Sequence, residues 1–441
     1  MSFSVKSIIF GVFMVEFLKS ASKKISEENN NTTSIVSHML KEIELGGEKI
    51  VKEFSQKLDN YYGMVCVSDE QINKAETTLP DIIKDDIKYA QENVEKFASA
   101  QKHSINDFQV EIRPGLLAGQ KSIPLNSAGC YVPGGRYSHI ASAIMTVTTA
   151  KMAGVKHISV CSPSRDGKQI PDEIIYAASY CGANSILTLG GVQGIASLAF
   201  GLFGVPSADI IVGPGNQFVA EAKRLLFGRV GIDMIAGPTD SLIIADSNAD
   251  PMLVATDLVS QAEHGYNSPV WLLSEDRMLC GEVLKLVPSL ISTLPLINKK
   301  NANEAWNNYA EIILCENREE IAVESDKIAP EHLSVHADKL DWWLGRLTAY
   351  GSLFLGEETT VSFGDKVSGP NHVLPTSGSA RYTGGLSVHN FQKIVTWQSS
   401  SKDAVKEQAI RTARISRTEG MEGHARAADI RLKKFFPGQI L

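Results

Sequence analysis

Short β-branched and aliphatic runs alternate with longer helical stretches through the middle of the chain. The runs "HISVCSP", "SILTLGG" and "DIIVGPG" are separated by segments such as "IASAIMTVTTAKMAG", in which apolar residues recur at helical spacing. Glycine or proline stands at most joints, and this alternation predicts a parallel sheet covered by helices. "DSLIIADSNADP" and "PVWLLSED" indicate a second set of strands that begins near residue 241, with a helix over 250–264 between them.

Helical patterning dominates both ends of the chain. Apolar residues recur every three or four positions from 34 to 102, and the segment from Ser401 onwards is charged and helical in pattern. The C-terminal segment lacks a core of its own, and a partner subunit is one candidate surface for it to pack on. The sequence predicts an α/β fold with two Rossmann-like parallel-sheet domains and helical arms at the N- and C-termini.

These patterns divide the chain into four segments. They are an N-terminal arm (1–33), a first α/β domain (34–128 with 240–378), a Rossmann-like domain (129–239) and a C-terminal helical arm (379–441). In the first arm, "SIIFGVFMV" has the length of a signal-peptide apolar region, but Glu16 ends the run far short of a membrane span. We interpret the part from Met14 as an amphipathic helical arm.

Composition narrows the functional classes. The 441 residues are 43% hydrophobic and 21% charged, with a formal net charge of -7, which favours a soluble globular protein without a nucleic-acid surface. Six cysteines are scattered with no C-x-x-C pair, a usage typical of reduced, mostly buried thiols. We therefore expect a cytoplasmic protein.

Three motifs bring titratable side chains together. In "FGDKVSGPNHVLPT", Asp365, Lys366 and His372 stand among glycines and prolines, which predict a loop of defined backbone shape. "SQAEHG" and "APEHLSV" hold the pairs Gln261 with His264 and Glu331 with His332. The first pair shares one helical face and fits either a metal site or a surface or cap hydrogen bond. The second fits either an acid–base pair or a solvated turn.

Two glycine turns join predicted strands to predicted helices. "GPGNQ" (213–217) and "YVPGGRYSH" (131–139) would let the backbone approach a phosphate beside the N–H groups of a helix N-terminus. Neither has the G-x-G-x-x-G spacing of a dinucleotide fingerprint, and a packing turn explains each alone. Two such turns in one sheet favour a ligand site.

Taken in order, these motifs resemble the histidinol dehydrogenase family. The resemblance runs from about Val15 to the C-terminus through "YVPGG", "GPGN", "DMIAGPTD", "SQAEHG", "APEHL", the "GD" and "NHVLPT" of one loop, and "EGMEGH". It implies a zinc-dependent, NAD-linked homodimer that oxidises a primary alcohol to a carboxylate through a bound aldehyde. Zinc would polarise the alcohol and retain the aldehyde between the two steps.

The resemblance also assigns roles to residues of this chain. The implied zinc ligands are Gln261, His264, Asp365 and His424, the last on an arm that crosses to the other subunit. Glu331 and His332 become the acid–base pair, and Tyr131, Gln193 and Asn216 contact the cofactor in the Rossmann-like domain. Thr239, His372 and Glu419 fall at substrate positions.

Several departures from the family pattern add positive or potentially positive groups. Arg136 and His139 follow "YVPGG" where the family has small apolar residues, and Lys366 replaces an aromatic residue after Asp365; Thr239 replaces a serine, and "ARYTGGL" replaces the usual run. Such groups would repel a cationic amine and pair with a permanent anion. They resemble the sulfopropanediol 3-dehydrogenase branch, which implies oxidation of 2,3-dihydroxypropane-1-sulfonate to 3-sulfolactate.

Other interpretations stay open. Oxidation of L-histidinol to L-histidine is the alternative reaction, and another small anionic polyol is a third substrate. Lys366 also fits a solvent-facing loop residue, and Arg136 a contact to the NAD pyrophosphate. A non-catalytic zinc- or nucleotide-binding relative is a hypothesis of a different class, although the complete set of presumed ligands, with Glu331 and His332, argues against it.

Overall fold

Strands and helices alternate through the middle of the chain, as the sequence predicts. The structure is a computed structural model that describes residues 15–23, 30–134, 138–235 and 237–438. The strands are β1 (Glu16–Lys19), β2 (Phe108–Arg113), β3 (Leu116–Pro124), β4 (Ser127–Tyr131), β5 (His157–Ser162), β6 (Ser185–Thr188), β7 (Ile210–Val212), β8 (Gly231–Ile232), β9 (Ser241–Ala245), β10 (Val270–Ser274), β11 (Glu311–Leu314), β12 (His332–His336), β13 (Ser352–Leu355) and β14 (Gln392–Ser400). The α-helices are α1 (Asn30–Asp59), α2 (Asp69–Thr78), α3 (Asp81–His103), α4 (Ile140–Ala153), α5 (Asp172–Cys181), α6 (Gly191–Phe200), α7 (Gln217–Leu226), α8 (Pro251–Ala262), α9 (Arg277–Ser292), α10 (Leu296–Tyr309), α11 (Arg318–Ile328), α12 (Leu340–Arg346), α13 (Val361–Gly364), α14 (Val405–Thr418) and α15 (Glu422–Phe435).

Strands β4 to β8 form a five-stranded sheet in the order β6-β5-β4-β7-β8. Each neighbouring pair is parallel, and helices α4 to α7 connect successive strands. The strand order reverses between β4 and β7. In open α/β sheets, the carboxyl ends of the strands at such a reversal form the crevice where ligands bind.

Strands β9 to β13 repeat this arrangement in a six-stranded sheet of order β1-β11-β10-β9-β12-β13. The five strands from β9 to β13 run parallel, and the order reverses between β9 and β12. Two parallel sheets are therefore present, and the predicted second set of strands begins at Ser241. The helix predicted between β9 and β10 is α8, which Asp250 caps by accepting a hydrogen bond from Met252 N–H.

The sixth strand corrects one prediction. The segment from Met14, predicted as an amphipathic helical arm, contains strand β1, which pairs antiparallel with β11. The side chains of Val15 and Phe17 pack against one apolar cluster of the sheet, and Leu18 packs against another. Alternation between two faces is the period of a strand, and pairing with the edge strand outweighs the short helical pattern.

The chain divides by internal packing into two compact units. The first comprises Met1–Gln101 with Leu125–Phe391, and the second Lys102–Pro124 with Gln392–Leu441. The first unit holds both parallel sheets and most of the helical segment predicted over 34–102, where α1 is kinked at Gly47 (φ 59°). In this grouping, residues 102–124 lie with the C-terminal segment rather than with the rest of 34–128.

The second unit contains an antiparallel sheet of order β14-β3-β2 and the helices α14 and α15, which pack through small apolar side chains. The helical pattern from Ser401 onwards is confirmed, but an entirely helical arm over 379–441 is wrong because β14 precedes those helices. Strand β14 pairs along its whole length with β3, and a Cβ at Gly119 would lie 2.4 Å from the ring of Trp397. This pairing joins segments distant in sequence, which local patterning does not reveal.

The structure also bears on the cysteines and on membrane-spanning helices. Five of the six cysteines are buried, Cys66 is exposed, and all six are free thiols, as expected. Among the described helices, none is both long enough and apolar enough to cross a membrane.

Candidate active site

The loop at 363–376 is held in a defined shape, as its glycines and proline predict. Helix α13 ends at Gly364, where a Cβ would lie 2.4 Å from the Phe354 ring, and buried Asp365 follows as the C-cap. Gly369 has φ +106°, and a Cβ there would lie 2.9 Å from the Asn93 carbonyl oxygen. The Asn93 side chain donates to the carbonyl of Val367 at 2.9 Å. Substitution of either glycine would displace the loop.

Asp365 lies between two of the predicted histidines. Its Oδ2 is 3.9 Å from Nε2 of His264, and its Oδ1 is 3.6 Å from Nε2 of His332. Burial opposes ionisation of Asp365, but the neighbouring imidazole of His332, with the charges of His372 and His264, holds the pKa of this carboxyl well below its usual range. Asp365 is therefore an ionised carboxylate among imidazoles.

Gln261 adds a buried polar atom without a partner. Its Nε2 approaches the Ser260 hydroxyl at 3.5 Å, whereas its buried Oε1 makes no hydrogen bond within the described residues. An unpartnered buried amide oxygen costs free energy unless a ligand completes it. Carboxylate oxygen, imidazole nitrogen and amide oxygen form a hard-to-borderline donor set that fits a Zn²⁺ ion. Among the described residues, His, Cys, Asp and Glu alone provide no group of three placed to hold a metal.

Glu331 and His332 lie at the amino end of β12 and are buried, so the solvated-turn interpretation is wrong. Glu331 and Asp240 exchange hydrogen bonds: Glu331 N–H donates to Asp240 Oδ1 at 2.7 Å, and Asp240 N–H donates to Glu331 Oε2 at 3.2 Å. The His332 Nδ1 lies 3.8 Å from Glu331 Oε2. Burial raises the pKa of Glu331 above that of an ordinary carboxyl. Burial alone would lower the pKa of His332, but the Glu331 and Asp365 carboxylates raise it.

His372 links the loop to α4. Its Nδ1 lies 3.0 Å from the Asp365 carbonyl oxygen, and its Nε2 lies 3.0 Å from the Ser142 hydroxyl. His139 is the N-cap residue of α4, and its pKa is lowered to about 4 by burial and by the nearby charges of His372, Lys366 and His264. Lys366 itself is exposed on the loop. The charge of Lys366 therefore acts on three histidines from different segments, His139, His264 and His372.

The predicted cofactor residues lie around the carboxyl end of the five-stranded sheet. Tyr131 ends β4, and its hydroxyl accepts a hydrogen bond from Gly191 N–H at 3.0 Å. Gly213 follows β7 with φ +112°, and a Cβ there would lie 2.1 Å from the Tyr131 carbonyl oxygen. Asn216 caps α7 by accepting from the N–H groups of two later residues. These positions flank the strand-order reversal between β4 and β7.

Gln193 belongs to the same region. Its Nε2 donates to Oδ2 of Asp59 at 2.8 Å, and its buried Oε1 has no hydrogen-bond partner within the described residues. Burial raises the pKa of Asp59, although the bonds from Gln193 and from the Gly190 backbone oppose this. The amide therefore has one end fixed and one acceptor available to a ligand.

A buried ion pair fixes the "GPGN" turn. Lys223 of α7 pairs with Asp233, and both side chains are almost fully buried. Lys223 Nζ donates to the Gly213 carbonyl at 3.0 Å, and Gly213 N–H donates to Asp233 Oδ2 at 2.7 Å. Both polar groups of the Gly213 peptide are thus bound to one charged pair, so the start of the turn has a single position.

The other predicted residues have different locations. Thr239 is half-buried next to Asp240, and His424 and Glu419 are exposed on the helical hairpin of the second unit. Arg136 lies outside the described residues. In the first unit, the contacts above bring together His264, Glu331, His332, Asp365 and His372, and Lys366 and His139 interact electrostatically with this group. Gln261 precedes His264 by three residues.

Sequence reasoning missed the side chains that support the predicted ones, namely Asp240, Asp59, Lys223 and Asp233. The two aspartates of "DMIAGPTD", Asp233 and Asp240, stand inside a motif that pointed to the site, and that was the available signal. Nothing in the sequence marks Asp59, since it reaches Gln193 from the end of α1.

Both the sequence and the fold are similar to those of known proteins. Residues 22–432 match the family described as histidinol dehydrogenase. The chain is 60% identical over 425 residues to a sulfopropanediol 3-dehydrogenase from Ruegeria pomeroyi, covering 96% of this chain and 98% of that protein. It is 39% identical over 367 residues to a histidinol dehydrogenase from Halalkalibacterium halodurans, covering 83% and 86%. A crystal structure of histidinol dehydrogenase from Elizabethkingia anophelis superposes with a TM-score of 0.88 at 33% identity, covering 94% of each chain.

Proposed function

Because the chain belongs to the histidinol dehydrogenase family of oxidoreductases, we propose that it catalyses the zinc- and NAD-dependent oxidation of 2,3-dihydroxypropane-1-sulfonate to 3-sulfolactate. The observation that carries the choice of substrate is Lys366, an exposed cation next to the buried Asp365 and electrostatically coupled to His139, His264 and His372. The similarity to the Ruegeria pomeroyi sulfopropanediol 3-dehydrogenase supports the same choice.

The overall reaction removes four electrons. One primary alcohol, two NAD⁺ and one water give one carboxylate, two NADH and three protons, with the aldehyde as the intermediate. Gln261, His264 and Asp365, with His424 of the partner subunit, would hold a zinc ion whose chemistry is to polarise the substrate oxygen. The orphaned Oε1 of Gln261 and the ionised Asp365 support this ligand set.

His332 and Glu331 divide the proton transfers. In its neutral form, His332 accepts the alcohol proton while hydride leaves the carbon for NAD⁺, and the neighbouring Glu331 and Asp365 carboxylates make it a stronger base. Glu331 removes a proton from the water that adds to the aldehyde carbon, and the hydrated aldehyde then loses the second hydride. Burial makes Glu331 a stronger base than a surface carboxylate, which suits this role.

Lys366 provides the substrate selectivity in this proposal. A sulfonate is a permanent anion with three acceptor oxygens, and an ammonium group on the rim of the site would pair with it. Half-buried Thr239 and His372 would contact the remaining hydroxyl groups. Arg136 would add positive potential, whereas His139, whose pKa is lowered to about 4, would contact the substrate as a neutral imidazole.

NAD would bind at the switch point of the five-stranded sheet, where Tyr131, Gln193 and Asn216 are the proposed contacts. The support is the unpartnered Gln193 oxygen and the fixed turn around Gly213. The acting form would be a homodimer, in which His424 completes the metal site of the other subunit and Glu419 lies nearby.

Histidinol oxidation is the second candidate. It is favoured by Glu419, which stands at a position used for substrate binding in histidinol dehydrogenases, and by the 39% identity to a protein of that name. A cation at Lys366 opposes it, since histidinol carries an amine.

The test is NADH formation by the purified zinc-loaded protein with each alcohol in parallel. We expect two NADH per dihydroxypropanesulfonate consumed and little turnover of L-histidinol. Turnover of L-histidinol alone would establish the second candidate. Stoichiometric zinc binding without NAD reduction by either alcohol would indicate another polyol or a non-catalytic protein.

A further inference from the structure

A buried histidine outside the proposed mechanism lies at the far end of β12. His336 is four residues beyond His332 on the same strand, so the two side chains lie on the same face of the sheet. The His336 side chain is fully buried, and its Nε2 lies 3.4 Å from Oδ2 of Asp257 on α8. Neither ring nitrogen makes a hydrogen bond of good geometry within the described residues.

Asp257 is also bound from a third element. Its Oδ1 accepts a hydrogen bond from the Thr360 hydroxyl at 2.9 Å. Thr360 is the N-cap of α13, and its hydroxyl accepts from Ser362 N–H at 3.4 Å. The two oxygens of one carboxylate therefore join β12 on one side to the start of α13 on the other.

Asp257 is connected to two proposed zinc ligands, Gln261 along α8 and Asp365 through α13. Gln261 follows Asp257 by four residues on α8, which places the two side chains on one face of the helix. Asp365 is the C-cap of α13, five residues after its N-cap Thr360. Asp365 returns to β12 through His332 at 3.6 Å. The contacts form a closed circuit from His336 through Asp257, α13 and Asp365 to His332.

We propose that Asp257, with His336 and Thr360, is a positioning unit that sets the spacing of α8 and α13. By doing so it holds Gln261 and His264 opposite Asp365. A buried polar pair adds little net stability relative to apolar side chains, but its directional contacts fix geometry. The unit touches none of the reacting atoms, and its role in metal binding rests on the proposed function.

The test measures zinc affinity by competition with a chelating indicator in the full-length protein. Thr360→Val removes the hydroxyl and keeps the side-chain shape, whereas Thr360→Ser keeps the hydroxyl. Loss of partners that orient metal ligands typically costs about 10–100-fold in affinity. We expect Thr360→Val and Asp257→Asn to weaken zinc binding by about tenfold or more and Thr360→Ser to restore it.

Thr256→Val is the matched control, because Thr256 is exposed on the same helix and its hydroxyl donates to the helix backbone at Met252. Its zinc affinity should equal that of the wild type. Thermal unfolding of each zinc-free variant checks the fold, and Thr360→Val serves if Asp257→Asn does not fold.

Two results would overturn the inference in distinguishable ways. Wild-type zinc affinity in folded Thr360→Val and Asp257→Asn would refute the positioning unit and leave the proposed function standing. A wild-type protein that binds no zinc would refute both.

Discussion

The five parallel strands of each of the two larger sheets follow the same order, yet the candidate functional residues lie at opposite ends of the strands. In the five-stranded sheet, Tyr131 and Gly213 stand at the carboxyl ends of β4 and β7, where the order reverses. In the six-stranded sheet, Asp240 and His332 stand at the amino ends of β9 and β12. The topological rule for ligand sites therefore locates the proposed cofactor site but not the proposed catalytic pair.

Contacts link the carboxyl edge of the five-stranded sheet to the loop at 363–376, which belongs to the candidate active site. Ser142, near the start of α4 after β4, meets His372 at 3.0 Å, and Gly237 N–H donates to the Thr376 hydroxyl at 2.5 Å. The carboxyl edge of one sheet thus faces the loop that follows the other sheet. In the proposed reaction, the hydride acceptor and the hydride donor would therefore be positioned from different edges of the two sheets.

The two regions also differ in how their charges are satisfied. Lys223 and Asp233 bond to each other and to both polar groups of Gly213. Asp365 instead keeps its neighbouring imidazole nitrogens at 3.6 and 3.9 Å, beyond ordinary hydrogen-bond length. The first arrangement fixes a turn, whereas the second leaves the Asp365 oxygens without a short bond to these imidazoles, as the proposed zinc site would require. Each prediction below tests this difference.

The largest expected effect is at Glu331. Glu331→Gln keeps an acceptor for Asp240 N–H but cannot take a proton, so we expect kcat to fall about 10²–10⁴-fold. Because Glu331 serves the aldehyde step, a single turnover should release one NADH per site rather than two. Rapid-mixing absorbance at the NADH band measures this stoichiometry.

The pH profile sharpens the same test. A base must be ionised to act, and burial raises the pKa of Glu331, so wild-type kcat should increase with pH well above the range of an ordinary carboxyl. The part of this rise that depends on Glu331 should disappear in Glu331→Gln, leaving the part due to His332, with the zinc content unchanged. Two NADH per site in that variant would remove Glu331 from the mechanism. His38→Gln, at an exposed position on α1, is the neutral control.

The next effect is on stability and concerns Lys223. Lys223→Met leaves Asp233 buried without its cation, which typically costs about 3–5 kcal/mol of unfolding free energy. Chemical denaturation measures the loss. Since Gly213 also loses a partner, we expect KM for NAD to rise while zinc affinity stays constant. An unchanged denaturation midpoint would mean that the buried pair contributes nothing to the turn.

The smallest effect is expected at Lys366. Removal of one charge-assisted contact costs about 1.5–3 kcal/mol, so Lys366→Met should raise KM for the sulfonate about 10–100-fold and leave zinc content intact. Lys156→Met is the matched control, because exposed Lys156 immediately precedes the amino end of β5, away from Tyr131. Equal kinetics of Lys366→Met and wild type would make Lys366 an ordinary loop residue.

Local patterning predicted much of this molecule, for physical reasons that also set its limits. Strands such as β5 and helices such as α8 can be recognised in the sequence from short apolar runs and capping residues, and glycines such as Gly213 mark turns that need positive φ. Strands β1 and β14 were missed because their pairing partners lie hundreds of residues away. The same holds for Asp257, whose partners His336 and Thr360 come from distant segments.

The residues of the candidate site likewise fall into those that the sequence reveals and those that only the fold places. Asp365, His264 and His332 were found through motifs and are brought together in the structure, whereas Asp240 acquires its place only through the pairing of β9 with β12. Roles that depend on the second unit, those of His424 and Glu419, stay predictions.

Strand β1 has a consequence for handling the protein. By pairing with Glu311–Leu314, it covers backbone donors and acceptors at the edge of the six-stranded sheet. A chain shortened past Lys19 would present that edge as a template for strand addition by another molecule. Truncation of this segment would therefore promote aggregation.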